Sequence, residues 1–139
     1  MSPSYATVKE GDELPPLVLK PGLEQVIRFS ALGWAFVPLF FDEAAAKAQG
    51  MPGRIVPGPL KLSFLYRAVE DWLEGAGYVR QVRAAHRRPD LQDREITVTG
   101  RVARVYEEEG HQRADLELAI INEEGADSVR GFAVVEFTG

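Results

Sequence analysis

The sequence predicts an α+β domain, with one long apolar helix packed on a face of an antiparallel sheet. A broad apolar stripe marks the helix over 60–73. Leu62, Leu65, Val69 and Trp72 lie three or four residues apart there, and Phe64, Ala68 and Leu73 widen the stripe. Strands follow it. Ile96, Val98, Gly100 and Val102 alternate with Thr97, Thr99 and Arg101, and Leu116, Leu118 and Ile120 alternate with Asp115, Glu117 and Ala119. That period of two belongs to strands with one buried face. At 139 residues, with no repeat or linker, the chain fits a single domain spanning 1–139.

The first twenty-odd residues hold Gly11, Pro15, Pro16 and Pro21, which predicts an extended lead-in with turns. Residues 25–32 read as a short strand or the start of a helix, and periodicity does not separate the two. Asp42 is a helix N-cap residue, Glu43 suits the positive end of a helix dipole, and Gly50 closes a short helix over 43–49. The stretch 51–59, with Pro52, Gly53, Pro57, Gly58 and Pro59, reads as a loop. Gly75 and Gly77 end the long helix. Residues 78–87 form the first strand of the sheet, broken by Pro89, and 129–137 the last, after a turn at 122–125. One such sheet leaves edges to be covered, which predicts a dimer joined sheet edge to sheet edge.

Composition excludes several classes. The chain has no cysteine, so disulfides, thiolate metal sites and cysteine nucleophiles are absent. Its net charge of −5 argues against binding along a phosphate backbone, so nucleic acid is not an expected partner. No apolar run approaches the ~20 residues of a membrane-spanning helix, so no membrane association is expected. The start, Met1-Ser2-Pro3-Ser4-Tyr5, lacks the basic and apolar blocks of a signal peptide, and the expected location is the cytoplasm. His86 and His111, far apart, make no metal motif, and neither metal nor cofactor is expected.

The stretch Trp34-Ala35-Phe36-Val37-Pro38-Leu39-Phe40-Phe41-Asp42, then Gly50-Met51-Pro52-Gly53-Arg54-Ile55 and Pro57-Gly58-Pro59-Leu60, follows a recognisable order. It resembles the signature D-x-N-P-[IL]-H-x-D, Gly-rich turn and H-G-[ML] of the MaoC-like, (R)-specific enoyl-CoA hydratase family. Gly11-Asp12-Glu13-Leu14-Pro15 is similar to that family's G-D-x-[LF]-P segment, and Arg87-Arg88-Pro89 with Ile96-Thr97-Val98 to its R-x-P…V stretch, although Asp93-Arg94 replaces Gly-Asp. The resemblance implies a hot-dog fold, in which a sheet wraps a central helix and two units pair. Aligned on Pro38, Leu39 and Asp42, it places Ala35 at the catalytic aspartate, Val37 at the asparagine and Phe40 at the catalytic histidine.

In the family that diad activates the water added across an α,β-unsaturated thioester. Alanine and phenylalanine cannot titrate, so they cannot do this work. The family's third component, backbone N–H groups at the start of the central helix, needs no side chain, and Pro57 and Gly58 stand at that place. The resemblance therefore implies a degenerate, non-catalytic subunit that shapes an acyl-CoA or acyl-thioester site, as a homodimer or as a heteromer with a catalytic hot-dog chain. Three alternatives stay open. One is an active hydratase or dehydratase using Asp42, Glu43 or His86, another a thioesterase-like hydrolase, and the third an acyl-CoA binding module. The simpler reading of Asp42 and Glu43 is a cap and a first-turn acid, that of His86 a structural or solvent-facing histidine, and that of His111 a surface residue at a loop tip. Arg83, Arg87 and Arg88 form a basic patch suited to a CoA phosphate or to local ion pairs. Trp34, Phe36, Phe40 and Phe41 read as core or interface, or as apolar filling of the old site.

Overall fold

The computed structural model describes residues 2–139. In chain order the elements are β1 (Leu17–Leu19), α1 (Leu23–Gly33), a 3-10 turn (Pro38–Phe40), α2 (Glu43–Ala48), α3 (Gly58–Leu73), β2 (Gly77–His86), β3 (Ile96–Glu108), β4 (His111–Asn122) and β5 (Asp127–Phe137).

The undecided stretch 25–32 is helical and belongs to α1. Its buried face is narrow, Val26 and Ser30, while Ile27 and Leu32 point to solvent. Apolar residues on both faces are why the period was ambiguous. The helix stops where Trp34 turns left-handed at φ 52°, and the Ala35 N–H closes on the Ser30 carbonyl at 2.9 Å. α2 is capped as expected. Asp42 Oδ1 accepts from the N–H groups of Ala44 and Ala45 at 2.8 and 3.3 Å. At its other end Gly50 takes φ 84° while the Met51 N–H reaches the Ala46 carbonyl.

α3 is the expected long helix, but it starts two residues earlier and its stripe is rotated. Lys61, Phe64, Leu65, Ala68, Val69 and Leu73 are buried, whereas Leu62 is 37% exposed. A lysine thus occupies a core-facing position that pattern assigned to leucine. It is tolerated there because it meets a carboxylate, described below.

The five strands form one antiparallel sheet in the order β1-β3-β4-β5-β2. Register irregularities at Val79/Gln81, Val102/Arg104 and Ile120/Ile121 add local twist. The sheet curls around α3. Val98, Val102, Leu116, Ile120, Val129, Ala133 and Val135 pack with Leu65, Val69 and Leu73 in one core. Helix and sheet approach closely because Gly131 has no side chain, and a Cβ there would stand 2.7 Å from Leu65 Cδ1. β2 lies at a sheet edge, so a ten-residue strand offers one side of its backbone to a partner. Among the described residues, no helix is long and apolar enough to cross a membrane.

Candidate functional site

The site is built at the start of α3. Pro57 is its N-cap, and no side chain caps this end. Of the first four positions of a helix, whose N–H groups lack intrahelical partners, Pro57 and Pro59 have no N–H at all. Gly58 and Leu60 therefore bring the two free donors, pointing out along the positive end of the dipole.

His86, the last residue of β2, sits opposite Val129 of β5 and lays its ring beside this turn. A Cβ at Gly58 would stand 3.3 Å from His86 Nε2 and 3.4 Å from Cε1. Of the three titratable side chains that sequence offered as substitute catalysts, His86 is the one set against α3. Its imidazole is held below the ordinary value, first by partial burial and then by the charge of Lys61. At neutral pH the ring is therefore held in its uncharged form.

Asp42 is occupied as a cap. Glu43 faces Lys47 of its own helix at 3.9 Å and is largely exposed. Neither side chain has a hydrogen bond or ion pair beyond α2 among the described residues. His111 opens β4. It is exposed, with Nδ1 3.2 Å from Glu136 Oε1 on the outer face of the sheet.

At the two positions aligned with the diad, Ala35 is exposed and terminates α1. Phe40 is half-buried against the core, with Phe41 edge-on to it. The Gln92 amide ties this turn to the approach to α3. Its Nε2 donates to the Phe40 carbonyl at 2.8 Å and to the Ile55 carbonyl at 2.9 Å. Trp34 and Leu32 are 81% and 90% exposed, and Phe36 stacks edge-on against Trp34. Leu32, Trp34 and Phe36 therefore form surface, while Phe40 and Phe41 pack on the core.

Arg87 and Arg88 are exposed, and their backbone N–H groups both reach the Ser128 carbonyl. Among the described residues neither side chain makes an ion pair, while Arg83 lies over the Phe132 ring at 4.6 Å. The guanidinium groups of Arg87 and Arg88 are thus left for an anion or for solvent.

Sequence reasoning missed Lys61, Asp90 and Gln92. Lys61 Nζ donates to Asp90 Oδ2 at 3.1 Å and to the Arg88 carbonyl at 3.2 Å, and both side chains are 3% exposed. The signal was present in the pattern, since Lys61 stands three, four, seven and eight residues before Phe64, Leu65, Ala68 and Val69. Two open cavities, of about 520 and 370 Å³, lie elsewhere. Glu13, Arg101, Glu117 and Arg130 help line the first, and Arg80, Tyr106 and Arg113 the second. Neither touches Gly58 or His86. No group of three His, Asp or Glu side chains is placed to hold a metal ion among the described residues.

No protein-family model and no curated protein matches the chain. Solved structures do. The chain superposes on an (R)-hydratase from A. caviae involved in PHA biosynthesis with a TM-score of 0.86 and 26% identity, over 95% of this chain and 98% of that one. A MaoC-like dehydratase from Rhodospirillum rubrum matches with a TM-score of 0.81 and 15% identity, over 96% of each chain. The chain has the hot-dog fold of these MaoC-like proteins. The same fold recurs in the ChsH1–ChsH2 complex from Mycobacterium tuberculosis, with a TM-score of 0.83 and 19% identity over 94% of this chain and 98% of that one. Hot-dog units of this kind thus also occur in a complex of two differently named subunits. In this chain α3 is the central helix the sheet wraps, and Gly58 begins it.

Proposed function

We propose that this chain is a degenerate subunit of an acyl-thioester hydratase or dehydratase. It shapes the acyl-CoA site and leaves acid–base chemistry to a catalytic hot-dog partner. The observation that carries this reading is the pair Ala35 and Phe40 on an otherwise complete scaffold. One residue ends a helix, the other packs on the core, and neither can exchange a proton. The N–H groups of Gly58 and Leu60 donate to the thioester carbonyl oxygen, where charge grows during hydration. Arg87 and Arg88 meet a phosphate of the carrier, since guanidinium pairs with phosphate in a bidentate way. The edge of β2 is where the second unit pairs, and the setting is the cytoplasm.

Co-expression with a hot-dog chain that keeps D-x-N-P-[IL]-H tests this. The expected result is a stable complex whose hydration of trans-2-enoyl-CoA depends on the partner's histidine. A complex whose activity survives loss of that histidine would overturn it.

One observation favours a second reading. His86, held neutral beside Gly58, is placed to act as a base on a water near the free N–H groups. In that case the chain alone hydrates enoyl thioesters, and His86→Ala abolishes the activity.

A further inference from the structure

We propose that the buried Lys61–Asp90 pair is a positioning device for the start of α3, clamping the end of β2 so that His86 stays against Gly58. Lys61 lies in the first turn of α3, and its ammonium bridges to the Asp90 carboxylate and the Arg88 carbonyl. Asp90 is tied again through its backbone, whose carbonyl accepts the Val56 N–H at 2.8 Å, and the Gln92 N–H reaches the Arg54 carbonyl at 3.0 Å. On the other flank the N–H groups of Arg87 and Arg88 hold the Ser128 carbonyl of β5. His86 sits directly before this clamped segment.

A buried ion pair is a poor choice for stability alone, because well-packed apolar residues of similar volume often serve as well or better. What it provides here is direction, since three hydrogen-bonding positions on an ammonium fix where the segment lies on the helix. Charged groups on the elements around His86 include Lys61 on α3, Arg87, Arg88 and Asp90 on the segment after β2, and Asp127 and Arg130 of β5, which pair with each other at 2.8 Å on either side of Val129. Of the buried pair, Lys61 is the charge felt by the ring, and it favours the neutral imidazole. The functional weight of the pair rests on the start of α3 being the ligand site, but its geometry does not.

Nuclear magnetic resonance of the full chain with labelled histidine tests it without any activity assay. Wild-type protein should show a nuclear Overhauser contact between the His86 ring and the Gly58 α-protons, with a titration midpoint below the ordinary value of about 6.5. Lys61→Met/Asp90→Leu replaces the pair by apolar residues of similar bulk. The double variant should fold, lose the contact and show a midpoint shifted upward. Retention of the contact in the folded double variant would overturn the proposal, whatever the midpoint does, because removing the Lys61 charge alone raises it. So would a wild-type ring with no contact to Gly58. Failure of the double variant to fold would also contradict it, by making the pair a support of the fold instead of a positioning device. If the clamp is confirmed but acyl-CoA does not bind, the ligand-site reading fails alone.

Discussion

Gly58 is where the account can be pressed hardest with one residue. Its φ lies outside the left-handed region, so a larger side chain meets no left-handed strain there, although Pro59 next to it crowds any Cβ in helical dihedrals. Gly58→Val instead brings its Cβ to 3.3–3.7 Å from three atoms of the His86 ring. The ring is exposed and can swing away, at about 0.5–1.5 kcal/mol if it leaves a favoured rotamer. Against this, replacing a helical glycine gains a fraction of the ~1 kcal/mol that separates glycine from better helix formers. Net stability should therefore move by no more than about 1 kcal/mol. Binding should respond differently, because the branched side chain crowds the two free N–H groups. Two hydrogen bonds at about 0.5–1.5 kcal/mol each amount to roughly 1–3 kcal/mol. That corresponds to about 5- to 150-fold in Kd. Titration calorimetry with a saturated acyl-CoA, beside urea unfolding of the same samples, reads both quantities. A folded Gly58→Val variant that binds acyl-CoA as tightly as wild type would refute the site.

Other consequences follow from the same geometry. Lys61→Met alone strands a buried carboxylate and should cost about 3–5 kcal/mol in urea unfolding, and a loss below about 1 kcal/mol would mean the pair is not desolvated. Asp42→Ala should lower stability by about 0.5–2 kcal/mol, the value of an N-cap, and leave acyl-CoA binding and any activity unchanged; a selective loss of activity would return Asp42 to the catalytic candidates. The pH dependence has a definite sign. The folded chain holds His86 neutral, so its stabilising contribution is complete above the unfolded value of about 6.5 and is lost as pH falls from there through the folded value. Glu136 is held ionised, first by the Tyr78 hydroxyl and then, against its own burial, by Arg113, His111 and Arg80. Its contribution is present above about 4.3 and disappears as pH falls through its lowered folded value. Thermal melts of wild type and His86→Asn across this range should show a shallower slope near neutral pH in the variant, and identical slopes would contradict the assignment.

Much of the fold was legible because its signals are local. The cap at Asp42, the stop at Gly50 and the strict alternation through Ile96–Val102 and Leu116–Ile120 each follow from a few neighbouring residues. Where the reading slipped, tertiary contact decided. Residues 25–32 carry apolar side chains on both faces, so only the burial of Val26 against the core reveals a helix. The inward place of Lys61 could be read from its helical spacing to Phe64 and Leu65, but its partner Asp90, twenty-nine residues beyond, is something no helical period can report. The site divides the same way. Ala35 and Phe40 were visible from motif spacing, whereas the placement of His86 beside Gly58 depends on where β2 ends relative to α3. Exposure of Trp34 and Leu32 was equally hidden, because an aromatic cluster looks the same in sequence whether it fills a core or awaits a partner.

The most direct test of the central claim is hydration of trans-2-enoyl-CoA by the purified chain alone, with circular dichroism confirming that the sample is folded. Short, medium and bulky acyl groups should be offered. The account predicts no turnover, because Ala35 and Phe40 leave the thioester without a paired acid and base. Steady turnover that His86→Ala removes would contradict it and make this chain an enzyme in its own right.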